Sequence, residues 1–157
     1  MRIVLILSLF LISACASTRD HVKTHDNTSS IKVQKLTAYA KSLLGVPYKY
    51  GGNSPNTGFD CSGYVGHVFK KMAGVSLPHN SRQISGHGIR VKSAQLREGD
   101  LVFFDTNNKP YSHVGIYLGD DSFIHAPSNG GEVRVEDMNM NYWNKHYNGA
   151  RRITSQR

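Results

Sequence analysis

The chain has 157 residues, which is enough for one ordinary domain and too few for two large independent ones. Hydrophobic residues make up 39% and charged residues only 19%, so we expect a packed globular core and not a disordered polyelectrolyte. The formal net charge of +8 predicts a polyanionic partner, but the sequence has no long Lys/Arg run of the kind that binds nucleic acid.

The N-terminus has the features of an export signal. Met1 and Arg2 precede an apolar run over 3–12, which would span only about half of the ~30 Å hydrocarbon core of a membrane. Residues 11–15 (Leu-Ile-Ser-Ala-Cys) resemble the bacterial lipobox, in which the cysteine is lipidated after cleavage. We therefore expect a lipoprotein signal peptide over 1–14 and a lipid anchor at Cys15. A soluble secreted protein with an incidental Cys15 is the alternative.

The residues after the cysteine bear on location. Ala16 stands where an inner-membrane retention signal would usually have Asp. In a Gram-negative bacterium, the lipobox resemblance therefore implies an outer-membrane anchor that faces the periplasm. Residues 15–32 are rich in Ser, Thr, Asp, Asn and His, and this composition predicts a flexible tether to a domain over 33–157.

Two helices are predicted in the first half of that domain. Apolar residues recur at helical spacing over 33–44, and Gly45 ends this first helix. A second, amphipathic helix begins at Cys61 and ends at Gly74, with a cationic last turn. Cys61 therefore lies in the first turn, where free backbone N–H groups and the helix dipole are expected to lower its pKa from about 8.5 toward neutrality or below.

Cysteine usage suggests a role for Cys61. If Cys15 carries lipid, Cys61 has no disulfide partner, and an unpaired thiol in an exported protein is open to oxidation. Burial as a small hydrophobic side chain is one explanation, and nucleophilic catalysis is the other. The position at a helix start favours catalysis.

Downstream of residue 95, short apolar runs predict strands. The runs lie at 101–104, 113–119 and 123–126, with further candidates at 133–135 and 150–153. Unequal element lengths and short connections predict an α+β domain, in which an antiparallel sheet has helices packed on one side.

Two histidines fall on one predicted hairpin. His113 begins one strand and His125 lies in the next, so antiparallel pairing would bring them together. With Cys61 they form a set suited to covalent acyl transfer: the thiolate attacks a carbonyl, His113 protonates the leaving amine, and His125 fixes the tautomer of His113. Zinc bound by the same three residues is the rival use. No fourth ligand or CxxC spacing is evident in the sequence, so we expect no metal and no cofactor.

Five motifs together resemble the NlpC/P60 family of cysteine peptidases. They are 47–52 (Pro-Tyr-Lys-Tyr-Gly-Gly), 59–63 (Phe-Asp-Cys-Ser-Gly), 96–101 (Leu-Arg-Glu-Gly-Asp-Leu), 112–119 (Ser-His-Val-Gly-Ile-Tyr-Leu-Gly) and 123–126 (Phe-Ile-His-Ala). They stand in the order of that family, and the match covers 34–153. The tail over 142–153 is similar to the lipoprotein murein endopeptidase subgroup.

The resemblance implies a compact, permuted papain-like fold and the hydrolysis of stem or cross-link peptides of peptidoglycan. It implies that Cys61 is the nucleophile, His113 the base and His125 the third member of the triad. Tyr48 matches a family tyrosine that is implied to stabilise the oxyanion or to orient substrate.

Asp60 and Ser62 flank the nucleophile and are candidates for substrate contacts, although Asp60 is equally suited to cap the helix. The chain departs from the family at His79, where many relatives have an arginine, and Arg82 is a candidate substitute. This departure weakens any transfer of the family's substrate contacts to the stretch 79–82.

Three classes of function are compatible with these residues. The first is a peptidoglycan endopeptidase, for which subgroup similarity favours the D-Ala–diaminopimelate cross-link over the D-Glu–diaminopimelate stem bond. The second is a non-catalytic wall-binding lipoprotein, and the third is an enzyme that acts on another acyl bond. The expected partners are peptidoglycan and, through the anchor, a membrane; we expect no nucleic acid and a monomeric chain.

Overall fold

The computed structural model describes residues 19–129 and 131–154 of the chain. The helices are α1 (Arg19–Ser42), α2 (Cys61–Ala73), α3 (Ser81–Ile84) and α4 (Asn141–His146), with a 3-10 turn at Ser93–Gln95. The strands are β1 (Asn53–Ser54), β2 (Gly58–Phe59), β3 (Ile89–Val91), β4 (Leu101–Phe104), β5 (His113–Gly119), β6 (Ser122–His125), β7 (Arg134–Asp137) and β8 (Tyr147–Arg152). The predicted signal peptide over 1–14 and Cys15 lie outside the described residues.

Helix α1 is longer than the sequence predicts. The composition of 15–32 predicts a flexible tether, but the helix already begins at Arg19. The segment 19–32 contains neither Pro nor Gly, so no residue in it stops the helix from extending toward the N-terminus. The part that packs on the domain is the predicted one, since Leu36 and Ala40 are buried. Among the described residues, no helix has the length and apolar character needed to cross a membrane.

Helix α2 has the bounds that the sequence predicts, because both ends are capped. Asp60 is the N-cap, and its side chain accepts a hydrogen bond from the Gly63 N–H. Gly74 adopts a left-handed conformation (φ 68°) at the C-cap, where its N–H donates to the Phe69 carbonyl. The buried face of the helix packs against α1, and the Tyr64 hydroxyl donates to the Ala40 carbonyl at 2.9 Å.

The larger sheet has six strands in the order β3-β8-β4-β5-β6-β7, and every neighbouring pair is antiparallel. Strands β4 and β5 coincide with the predicted runs, and β6 begins one residue early. Strand β3 is missing from the sequence prediction, because two of its three residues are exposed and leave no apolar pattern. The α+β class is confirmed.

The sheet is covered on both faces, which corrects the expectation that helices lie on one side only. Alternation along β4 directs Leu101 and Phe103 into the core shared with α1 and α2. Val102 and Phe104 point the other way and pack with Trp143 of α4. The short helix α4 thus packs on the second face of the sheet through Trp143.

Candidate active site

Cys61 is the first residue of α2, and the residue as a whole is partly exposed. Helix α2 packs against β5. The backbone N–H groups of Val114, Ser62 and Cys61 itself lie near the sulfur and act to lower its pKa. Negative charge that develops on or beside the sulfur therefore meets three fixed N–H dipoles. This is the environment expected for a nucleophilic thiol.

The resting charge of Cys61 differs from the sequence prediction. Burial raises the pKa of the thiol to about 11, the Asp60 carboxylate adds to the rise, and together they outweigh the three backbone N–H groups. The helix start is visible in the sequence, whereas burial by β5 depends on the tertiary fold. At neutral pH Cys61 is therefore a thiol, and a nucleophilic role would require removal of its proton.

The structure brings His113 and His125 together as predicted. Nε2 of His113 lies 2.6 Å from Nδ1 of His125, and the two rings meet edge to face. Gly115 makes room for this contact, because a Cβ there would lie 3.2 Å from Cβ of His125 and 2.7 Å from the Phe123 ring. The hairpin thus needs glycine at this position to hold its two histidines together.

Both imidazoles are buried and uncharged at neutral pH. Burial lowers the pKa of His113 to about 4, although Asp60 opposes the shift. Burial lowers the pKa of His125 to about 2, with further lowering by His113 and Arg134. A neutral His113 is able to accept a proton, which is the state that the predicted role of base requires.

The tautomers follow from this geometry if His113 acts at Nδ1. Its Nε2 then carries the hydrogen and donates to Nδ1 of His125, whose own hydrogen is on Nε2. That Nε2 atom of His125 is buried and has no hydrogen-bond partner among the described residues. His125 therefore orients His113 as a neutral acceptor, without the charge that a carboxylate would provide.

Tyr48 lies near the nucleophile. Its backbone N–H donates to the Gly131 carbonyl at 2.6 Å, and it forms a bridge with Phe59, which precedes Cys61 by two residues. Burial raises the pKa of the Tyr48 phenol, and the charged forms of Cys61 and Asp60 raise it further. The hydroxyl is thus within electrostatic reach of the thiol, while its contact with an oxyanion or substrate stays a prediction.

The Asp60 carboxylate is occupied by protein donors. Oδ1 accepts from the Ser62 hydroxyl at 2.9 Å and from the Gly63 N–H at 2.7 Å, and Oδ2 accepts from the Gly51 N–H at 3.0 Å. Nε2 of His79 lies 3.0 Å from both carboxylate oxygens. The helix-cap role of Asp60 is confirmed, and the expected contacts of Asp60 and Ser62 with substrate stay predictions.

The geometry of the histidine pair bears on the zinc alternative. The nitrogens of His113 and His125 that would bind a shared metal instead face each other at hydrogen-bond distance. Among the side chains that the structure describes, at residue 30 and over 32–129 and 131–154, no group of three His, Cys, Asp or Glu is arranged to hold a metal ion. The observed contact favours a hydrogen-bonded histidine pair over a zinc site that both histidines share.

Comparison with known proteins identifies the family. The family model described as NlpC/P60 family matches residues 45–152. This chain belongs to the NlpC/P60 family. The resemblance noted in its motifs is thereby confirmed.

Curated relatives are similar over most of this chain. Murein DD-endopeptidase MepH of Escherichia coli is 39% identical over 78% of this chain and 48% of its own length. Murein DD-endopeptidase MepS/Murein LD-carboxypeptidase of the same species is 36% identical over 91% of this chain and 74% of its own. Probable peptidoglycan endopeptidase LytE of Bacillus subtilis is 42% identical over 80% of this chain and 36% of its own length. The chain thus spans about half or less of two of these relatives.

Solved structures agree with the fold. An NlpC/P60 family protein from Bacillus cereus is 35% identical with a TM-score of 0.70, over 76% of this chain and 39% of that one. The NlpC/p60 domain of the peptidoglycan hydrolase SagA is 30% identical with a TM-score of 0.67, over 77% of this chain and 98% of that one. The α+β fold of this chain is therefore that of an NlpC/P60 domain.

Two residues of this NlpC/P60 site have roles that sequence reasoning missed. Trp143 stacks on His113 with ring centroids 5.8 Å apart, and it packs edge to face with His125 with ring centroids 5.0 Å apart. It therefore covers one side of the histidine pair. Its only signal in the sequence was its place in the family-like tail. His79 contacts Asp60 at 3.0 Å, whereas Arg82 lies exposed on α3.

Proposed function

We propose that this protein is a peptidoglycan endopeptidase in which Cys61 is the nucleophile, His113 the base and His125 its positioning partner. The observation that carries the proposal is the 2.6 Å contact between Nε2 of His113 and Nδ1 of His125, in an NlpC/P60 fold that also places Cys61 at the capped start of α2. Relatives named as murein or peptidoglycan endopeptidases support the substrate class.

The mechanism is a two-step acyl transfer. Nδ1 of His113 takes the thiol proton as sulfur bonds to the carbonyl carbon of a peptide bond, and the oxyanion is stabilised by backbone N–H groups near Cys61 and by Tyr48. His113 returns the proton to the leaving amine, which leaves a thioester. Water then attacks the thioester, loses a proton to His113 and releases the acid, while the thiol is regenerated.

The bond that we favour is the D-Ala–diaminopimelate cross-link. Two relatives that cover most of this chain are named murein DD-endopeptidases, which supports a bond between two D-configured centres. A different relative, the gamma-DL-glutamyl hydrolase of Bacillus subtilis, is 39% identical over 73% of this chain. That similarity favours cleavage after D-Glu in the stem as the second candidate.

The location that we propose is the periplasmic face of an outer membrane, with lipid on Cys15 and the catalytic domain acting as a monomer. Support comes from the lipobox-like run over 11–15 and from Ala16. Replacement of Cys15 by Ala should move the protein out of the membrane fraction and leave hydrolysis of soluble muropeptides unchanged, because no residue of the active site is altered.

The decisive experiment is product analysis. The Cys15→Ala protein is incubated with purified cross-linked muropeptides and with linear stem peptides, and the product masses are measured. Conversion of dimers to monomers without shortening of the stem supports the cross-link, and a shortened stem supports cleavage after D-Glu. Binding without any product would support the wall-binding alternative and would contradict the proposed activity.

A further inference from the structure

Glu136 of β7 accepts hydrogen bonds through both of its carboxylate oxygens. Oε2 accepts from Nε1 of Trp143 at 3.2 Å, and Oε1 accepts from Nε of Arg134 at 2.6 Å. The side chain of Glu136 is only 14% exposed, whereas that of Arg134 is 37% exposed. The carboxylate is therefore held between a cation at the surface and a buried indole.

The sheet register places this carboxylate beside the histidine pair. Arg134 lies directly opposite His125 across β6 and β7. Glu136 lies directly opposite Phe123 in the same register. Directly opposite residues of an antiparallel pair have their side chains on one face of the sheet. These four side chains therefore share the face on which Trp143 is buried.

The orientation of His125 depends on ring packing. In the part of the chain that the structure describes, Nε2 of His125 is buried without a hydrogen-bond partner, so no bond on that side fixes the plane of the ring. The rings of Phe123 and Trp143 pack against it, with centroids 4.7 and 5.0 Å away. Trp143 also stacks on His113 at an interplanar angle of 28°. Both histidines thus pack against one indole.

The hydrogen bond to Glu136 selects the orientation of that indole. The rings of Phe104 and Phe123 lie 4.9 and 5.0 Å from that of Trp143 and limit the plane that it can adopt. The last side-chain torsion of tryptophan is broad and roughly two-fold, so packing alone allows a flipped indole as well. A flipped indole would leave its buried N–H without this acceptor, which is unfavourable.

We propose that Glu136 is a positioning residue of the active site, which fixes the indole of Trp143 and through it the orientation of the histidine pair. Arg134 holds the Glu136 carboxylate in place for this contact. The inference rests on the proposed function, because it concerns the base of that reaction. A misaligned base removes the thiol proton more slowly without changing how substrate binds, so the effect is expected on kcat and not on KM.

A purely structural role is the alternative for the same contacts. A buried hydrogen bond and an ion pair also stabilise the folded state. Their loss would then lower the melting temperature and leave kcat of the folded enzyme unaltered. The two roles are therefore separated by measuring kcat, KM and thermal stability on the same variants, with kcat measured well below the melting transition.

The kinetic test uses variants of the Cys15→Ala chain and a soluble cross-linked muropeptide. Glu136→Ala should lower kcat about tenfold and leave KM within about twofold. Glu136→Gln should recover most of this loss, because its amide oxygen still accepts from the indole N–H. The control is Glu98→Ala, which removes an exposed glutamate from the turn before β4 and should leave both constants within about twofold.

A double-mutant cycle tests whether Glu136 acts through the indole. Trp143→Phe keeps an aromatic ring and removes the N–H that Glu136 binds. In this background Glu136→Ala should change kcat by less than about twofold, because the bond that it breaks is already absent. A loss of kcat as large as in the Trp143 chain would overturn the proposed route.

Trp143 also provides a readout that needs no activity, because it is the one tryptophan of the chain. Its indole N–H gives a single signal in a proton–nitrogen correlation spectrum. The proton should move upfield in Glu136→Gln, since a neutral acceptor makes a weaker hydrogen bond than a carboxylate. In isotope-labelled protein, His113 and His125 should each show one neutral tautomer, and Glu136→Ala should show a mixture.

Equal kcat values for Glu136→Ala and Glu98→Ala would overturn the inference. An indole signal that is unchanged in Glu136→Gln would also overturn it, and this comparison stands even where Glu136→Ala does not fold. A chain that cleaves no muropeptide would contradict the proposed function itself. In that event the imidazole signals decide: mixed tautomers in Glu136→Ala support the positioning role, and unchanged single tautomers refute it.

Discussion

Nε2 of His113 lies 2.6 Å from Nδ1 of His125 across the β5-β6 hairpin. Both rings are buried, and Trp143 packs against each of them. A second proton on either ring would leave a charge in this apolar setting, so the pair is held neutral and fixes one tautomer of the base. In the proposed mechanism the proton of Cys61 is therefore transferred to His113 during attack, and the reaction does not begin from a charged pair.

Replacement of Cys61 by Ala or Ser should abolish hydrolysis of muropeptides. Alanine has no nucleophile, and a serine hydroxyl is far harder to ionise than a thiol with the same base. Circular dichroism should show that both variants stay folded. Alkylation should inactivate the unaltered enzyme, and EDTA should leave it active. Turnover retained by both variants would contradict the thiol mechanism. Inhibition by EDTA that zinc reverses would also contradict it.

His113 and His125 should differ in their effect on catalysis. His113→Ala removes the group that carries the proton, and general acid–base catalysis is worth about 10²–10⁴-fold. His125→Ala removes only the group that orients it, so a smaller loss of kcat/KM, about 10–10²-fold, is expected. The measurement is kcat/KM on one muropeptide; activity of His113→Ala equal to that of the unaltered enzyme would show that the base is misassigned.

The rate of thiol alkylation should report the raised pKa of Cys61. Because burial and Asp60 raise that pKa to about 11, the rate with iodoacetamide should keep rising about tenfold per pH unit between pH 7 and pH 10. A thiolate already paired with a charged histidine would instead react at a rate independent of pH in this range. A plateau below pH 8 would therefore contradict the neutral resting state.

The sequence predicted the fold correctly where it carries local stop signals. The prediction failed where an element depends on long-range contacts. Asp60 and Gly74 cap α2, and its bounds followed from them. Strand β3 depends on pairing with β8, and Ile89 in it is 54% exposed, so no local pattern marks it. The approach of His113 to His125 was predictable because both histidines stand on one hairpin. The pKa of Cys61 was not, since burial arises from elements that are distant in the chain.

Stability should fall as the pH is lowered from 6.5 to 4.5. The folded-state pKa values of His113 and His125, about 4 and about 2, lie below the unfolded value of 6.5, so the unfolded chain binds more protons. Their contribution is complete above pH 6.5 and is lost progressively toward the folded pKa values. His67, whose pKa is also lowered, acts in the same direction.

Denaturant titration at each pH measures this loss. Each histidine contributes a slope of up to about 1.4 kcal/mol per pH unit within the window. His125→Gln, which cannot titrate, should flatten the profile relative to the unaltered chain. A profile equally steep in both proteins would place the proton uptake elsewhere.

The contact between His79 and Asp60 should be tolerant of arginine and sensitive to loss of the carboxylate. Asp60 fixes the first turn of α2, which carries Cys61, through Ser62 and Gly63, whereas His79 is 38% exposed at its side chain.

Asp60→Ala should cost about 1–2 kcal/mol of unfolding free energy as an N-cap and should also lower kcat/KM. His79→Ala should cost at most about 1 kcal/mol, since a hydrogen bond made by a side chain that is 38% exposed contributes little. His79→Arg should retain both stability and activity, because a guanidinium can contact both carboxylate oxygens as His79 Nε2 does. Thermal melts and kcat/KM rank the three variants by stability and activity. A His79→Arg protein less active than His79→Ala would show that His79 acts on substrate and not through Asp60.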